Sequence, residues 1–380
     1  MGWFSSKKRD FLKAVKAGDL TAVRAFLAGG ADANSKTLMS DDTALMLAAE
    51  RGHFDLVDEL IAAGADIHAR NVLGHDTLVR AAIKANASMV THLIQAGADV
   101  NGRNSKGENS FIAMLTAPDF AKPEPGHSEV VQTLVSKGLD AAARDNTGGF
   151  PLWVAARYGY ADFVRIILNG GANPDDRHEG MTPLMVAAAV GNGATVRTLL
   201  AGHADPNATL PDTGATVLMF AAGFAHGKVS KFLKLAADTP ERVDAVRALL
   251  EAGADANACL EDGTTALMAA AEVGRTEVVK ALIEGGANLD AAMSGVGKVI
   301  EYGGGVTKEE HRGCTALMLA AVEGQKETAL ALIEAGANVD LTTSAGATAR
   351  KLAQATSHHF TSIAIDEAIK NRAKQAATGA

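Results

Sequence analysis

Thr43-Ala44-Leu45-Met46-Leu47-Ala48-Ala49 returns as Thr182-Pro183-Leu184-Met185-Val186-Ala187-Ala188, as Thr265-Ala266-Leu267-Met268-Ala269-Ala270-Ala271, and as Thr315-Ala316-Leu317-Met318-Leu319-Ala320-Ala321. A second mark follows twenty-one residues after the threonine: Gly64-Ala65-Asp66, Gly286-Ala287-Asn288 or Gly336-Ala337-Asn338. A glycine also stands two residues before it, as at Gly180, Gly263 and Gly313. These copies set threonine-equivalent positions at 9, 43, 76, 109, 150, 182, 216, 265, 315 and 348, a basic spacing of 33. Nearly all of the surplus over nine such intervals lies in insertions at 116–128, 223–240 and 292–312. A fixed period of this length marks a chain built by stacking one small unit.

The residues of the unit spell out two short helices between turns. Threonine or aspartate can cap the first helix, and Pro151 and Pro183 sit at a first helical position, where no donor is lost. Leu45, Ala48 and Ala49 share one face. The second helix carries larger aliphatics such as Val278, Val279, Leu282 and Ile283. It ends at a glycine suited to a left-handed cap: Gly30, Gly64, Gly97, Gly171, Gly253, Gly286 and Gly336. His203 occupies that place in one unit, so it is expected to be left-handed. The repeated Asp66, Asp99, Asn101, Asp205, Asn207, Asp255 and Asn257 are expected to bond local backbone in the turns.

A 33-residue period with Thr-Pro-Leu-x-x-Ala-Ala and Gly-Ala-Asp-x-Asn resembles the ankyrin repeat family over nearly the whole chain. The resemblance implies an all-α solenoid with short β-hairpin turns, a single elongated curved domain over 9–380 behind a flexible segment 1–8. It also implies a non-catalytic module that holds a protein partner on its concave face and projecting hairpins. The family usually has histidine after the leucine. Here Met46, Met185, Met219, Met268 or Met318 stands there, and Trp153 in one unit, which calls into question the inter-repeat hydrogen bonds of that histidine.

Composition agrees with thin, repeated cores. The 380 residues include 75 Ala and 39 Gly, with only 4% aromatic side chains. A net charge of −8 argues against binding nucleic acid through a broad basic face. Two cysteines, Cys259 and Cys314, fit a reducing, cytoplasmic setting, and no run approaches the length needed to span a bilayer. The N-terminus lacks a secretory apolar stretch. Gly2 with Ser6 fits a loose acylation pattern, and Trp3 and Phe4 beside Lys7-Lys8-Arg9 suggest a rival reading, a regulator tethered to a membrane. At the chain ends, Phe11, Leu12, Val15, Val23, Phe26 and Leu27, and Ile363, Ile365 and Ile369, are expected to face inward. A monomer is expected.

The insertions differ in promise. Pro118, Pro123, Pro125 and Gly126 make 116–128 an irregular loop. In 223–240, Val229 to Ala237 can add helical turns before Thr239-Pro240 restarts the second helix. In 292–312, Lys298 to Tyr302, Gly303-Gly304-Gly305 and Val306-Thr307 read as an elongated hairpin. It could touch a partner or plug a target enzyme. Ser294-Gly295-Val296-Gly297-Lys298-Val299 fails the phosphate-loop pattern at Ala292 and Val299. His311 and Cys314 lack a second pair for zinc. No catalytic, cofactor or metal residues are expected.

Positions that the repeat does not dictate are the candidates for function. Eight residues after each threonine position stand Arg51, Lys84, Ala117, Tyr158, Val190, Phe224, Val273 and Glu323. Tyr158, Val190, Phe224 and Val273 form an expected apolar stripe for a partner. His75, Lys106, His178, Glu179, Asp262 and Arg312 form its expected polar rim, joined by Ile300 and Tyr302 of the long hairpin.

Overall fold

Residues 2–224, 239–301 and 308–378 are described by a computed structural model. Among them are ten pairs of helices, one pair for each repeat, from Gly2–Ala17 with Leu20–Ala28 to Ala349–Ala355 with His359–Thr378. Their contacts divide the chain into two compact units, 1–155 with 162–173, and 156–161 with 174–380. The first helix begins at Gly2, so residues 2–8, read as a flexible lead-in, continue the helix of the first repeat.

The inner helices after the first run six to eight residues, and most of them are opened by a capping side chain. The Thr43 side chain accepts the Met46 N–H, and Asp76, Asn109, Thr182, Thr216, Thr265, Thr315 and Thr348 do the same for the residue three further on. These caps satisfy donors that the helix itself leaves open. From Ala44 to Ala49 every inner-helix residue is buried, because the helix is covered by its own outer helix and by neighbouring repeats. Alanine makes that close approach possible. The outer helices are amphipathic: in Phe54–Ala62, Leu56, Val57 and Leu60 are buried while Asp55 and Asp58 face water. Full burial of one such leucine contributes about 2 kcal/mol.

The glycine caps take the left-handed conformation as the spacing requires, and His203 joins them at φ 65°. Proline opens Pro151–Tyr158 and Pro183–Val190. The turn residues also form bonds beyond their own turns. Asp66 and Asp99 accept local N–H groups, but the asparagines cross to the next repeat. Asn34 donates to Gly64 O and accepts the Asp66 N–H, and Asn101, Asn207 and Asn257 repeat the pattern.

The methionines in place of histidine are buried in the core. Further inter-repeat hydrogen bonds lie where outer helices begin. Asn192 donates to Gly159 O at 3.2 Å, Gln325 to Glu272 O at 3.5 Å, and His53 Nε2 meets Lys16 O at 3.4 Å. These side chains lie over left-handed glycines of the preceding repeat. A Cβ on Gly18 would stand 2.8 Å from His53, and one on Gly159 or Gly274 would collide with Asn192 or Gln325.

Three expectations are corrected. Pro125 and Gly126 belong to the helix Pro125–Ser136, so the irregular loop is 117–124. Ile363 is 54% exposed and Ile369 half-buried, whereas Ile365 is buried, because Ile363 lies on the outer side of the last helix. Phe26 and Leu27 are half-buried, while Phe11, Leu12, Val15 and Val23 are buried. The stretch from Val229 to Ala237 lies outside the described residues.

Candidate functional site

The four stripe residues lie in the second unit, each at the end of an inner helix. Tyr158 ends Pro151–Tyr158, Val190 ends Pro183–Val190, Phe224 follows the left-handed Gly223 that closes Val217–Ala222, and Val273 closes Ala266–Glu272. Tyr158 and Val273 are 45% and 44% exposed, in helices whose preceding turns are buried. Val190 and Phe224 are half-buried. Ala117, the matching residue of the fourth repeat, is buried, whereas Arg51, Lys84 and Glu323 are exposed.

Neighbouring groups hold the stripe in place. Tyr158 stacks on Tyr160 with ring centres 5.7 Å apart and planes 11° from parallel. Burial, helped by Tyr158, raises the Tyr160 phenol above its ordinary range. Asn192 ties Gly159, next to Tyr158, to the sixth repeat. Phe224 meets Phe220 edge-on at 6.4 Å. The Val273 side chain lies against Gly223, where a Cβ would stand 3.3 Å from it. Phe224 also lines a cleft of about 590 Å³ between two turns, with Pro211, Asp212, Cys259, Leu260, Glu261 and Asp262. That cleft combines an aromatic ring with three carboxylates, a set that repeat spacing does not reveal because the carboxylates come from two different turns.

The rim forms only in part. Lys106, Glu179 and Arg312 are exposed, and Asp262 is half-buried. Asp262 accepts the Thr264 N–H on its side chain, and its carbonyl accepts the N–H groups of Ser294 and Gly295. His75 and His178 are only 3% and 7% exposed and do not belong to a rim. His75 is drawn inward because its backbone closes a turn with Asn71, whose side chain accepts the His75 N–H. Burial lowers the His75 pKa, with Asp119 opposing and Arg80 assisting. The His178 backbone closes a two-way bridge with Met181. His75 and Lys106 also belong to the first unit, whereas the stripe residues belong to the second.

The described part of the long insertion is a pair of antiparallel strands. β1 (Val296–Glu301) pairs antiparallel with β2 (Lys308–Arg312), and an irregularity falls between Val296 and Lys298; Val306 and Thr307 lie outside the described residues. Ile300 pairs with Glu309 in this register. Tyr302 lies outside the described residues. The hairpin is anchored at its base, where the Arg312 N–H meets Ser344 Oγ and the Ser344 N–H meets Arg312 O.

No described helix is long and apolar enough to cross a membrane. No match was found among curated proteins. The family model for ankyrin repeats, in three copies, matches residues 11–104, 120–210, 171–242 and 233–343. With ten helix pairs among the described residues and asparagine-linked turns behind that match, the chain belongs to the ankyrin-repeat family.

Proposed function

We propose that this protein is a non-catalytic scaffold that holds a partner protein on the inner-helix side of its second unit. Ankyrin repeats are protein-interaction modules. The observation that carries the assignment to this surface is the exposure of Tyr158 and Val273, at 45% and 44%, on either side of Phe224 and its cleft. Aromatic side chains held rigid by stacking lose little entropy when a partner covers them, which is why they serve as anchors. Glu179, Asp262 and Arg312 supply polar contacts around them, and the β1–β2 hairpin extends the surface.

The test uses a partner isolated on the intact chain. Tyr158→Ala with Phe224→Ala is expected to weaken binding at least thirtyfold, the effect of losing one anchor worth about 2 kcal/mol. Deleting 296–312 is expected to weaken it less, with the helical signal kept. A dissociation constant unchanged in the double variant would remove the stripe from the interface.

A further inference from the structure

We propose that the edge of the first unit formed by the N-terminal helix and the first two turns docks on an anionic lipid surface. Leu38 and Met39 are 92% and 94% exposed at the tip of the first turn, and Val72 and Leu73 are 62% and 42% exposed at the second. The Val72 N–H donates to Ser40 O at 3.1 Å, so the two tips stand side by side. Beside Leu38 opens a cleft of about 910 Å³ whose lining includes Lys7, Lys8, Lys36 and Phe26. Among the described residues, Lys8 and Lys36 make no ion pair. Asp32 and Asp41 share the cleft, and Asp32 already accepts the Asn34 N–H. The helix Gly2–Ala17 carries Lys7, Lys8, Arg9, Lys13 and Lys16 against Asp10 alone, in a chain of net charge −8.

Apolar tips and clustered lysines on one edge match the two layers of an anionic membrane surface. Protruding aliphatic chains enter the boundary between headgroups and acyl chains, while ammonium groups stay with the phosphates. Folded protein partners usually receive apolar anchors in preformed pockets. A bilayer deforms around isolated protrusions and needs no matching shape. The inference is independent of the partner surface on the second unit.

The experiment is co-sedimentation of the full chain with vesicles of phosphatidylcholine, with and without phosphatidylglycerol, at low and high salt. Binding is expected only to the anionic vesicles and is expected to weaken with salt. Leu38→Asp with Met39→Asp should abolish it without moving the melting midpoint, since both side chains are in water. Lys8→Gln with Lys36→Gln should lower partitioning about fivefold per lysine. Tyr158→Ala should leave it unchanged. The proposal is overturned by absent or equal binding to the two vesicle types, or by wild-type binding of either double variant. Vesicle-independent self-association that the aspartate variant abolishes would assign the edge to a second copy of the chain and also overturn it.

Discussion

The fourth and seventh repeats are interrupted at the same point, between inner and outer helix, and each mends the junction with the third residue of a helix restarted on proline. In the fourth, Pro125 opens the helix and His127 is buried. Its Nδ1 accepts the Glu124 N–H at 2.8 Å, which leaves the proton on Nε2 to donate to Ile83 O at 3.0 Å. In the seventh, Thr239 caps, Pro240 opens, and the fully buried Arg242 donates to the carbonyls of Ala188, Ala189 and Ala221. Uninterrupted repeats meet the same need with the residue after a left-handed glycine, as at His53 and Asn192. The last carbonyls of an inner helix have no partner within the helix, and the next repeat buries them. One imidazole donor serves one helix end, whereas the guanidinium fork serves two and adds positive charge where the helix dipole favours it.

That contrast can be broken at Arg242. Arg242→Ala removes donors from three buried carbonyls and leaves a cavity, and is expected to cost about 3 kcal/mol. His127→Ala should cost about half as much, since one carbonyl is orphaned. Urea unfolding of the two variants measures the ratio, and equal losses would mean that the guanidinium supplies no more than the ring. A finer break lies one residue earlier. Gly126 stands where the seventh repeat has Glu241, and a Cβ on Gly126 would sit 2.7 Å from Ala85 O. Gly→Ala within a helix normally stabilises by about 1 kcal/mol. Here the sign should invert to a loss of about 1–2 kcal/mol, because a backbone carbonyl cannot turn aside. Glu241→Ala should change stability by less than about 0.5 kcal/mol.

The same contrast shows what could be read in the sequence. The period, caps and left-handed glycines were legible because each depends on a residue and its near neighbours, and each recurs. Thr239-Pro240 was legible for that reason. Arg242 was not: it looks like any surface arginine of an amphipathic helix, and its partners lie 21 to 54 residues away. The burial of His75 likewise depends on how its turn folds back on Asn71, which spacing does not report. Of the stripe, position along the helix placed Tyr158 and Val273 in water, but the acidic cleft beside Phe224 needed two turns brought together. The exposure of Leu38-Met39 and Val72-Leu73 is legible as pairs of large apolar residues inside turns.

The closing caps refine the comparison by showing what interruption does not change. Gly138 closes the fourth repeat at φ 89° and Gly253 the seventh at φ 88°, so both interrupted repeats keep the glycine. The uninterrupted sixth loses it, with His203 at φ 65°. The hydrogen bonds of the three caps match: the His203 N–H reaches Leu200 O and the Ala204 N–H reaches Leu199 O, as Gly253 and Ala254 reach Leu250 and Leu249. His203 therefore holds the same backbone geometry with a side chain that disfavours it by roughly 1–2 kcal/mol. Glycine would relieve that strain but adds freedom to the unfolded chain, which takes back part of the gain. His203→Gly is expected to stabilise by about 0.5–1 kcal/mol, with His203→Asn between it and the wild type. A lower urea midpoint for His203→Gly would show that the imidazole makes contacts worth more than the strain it carries.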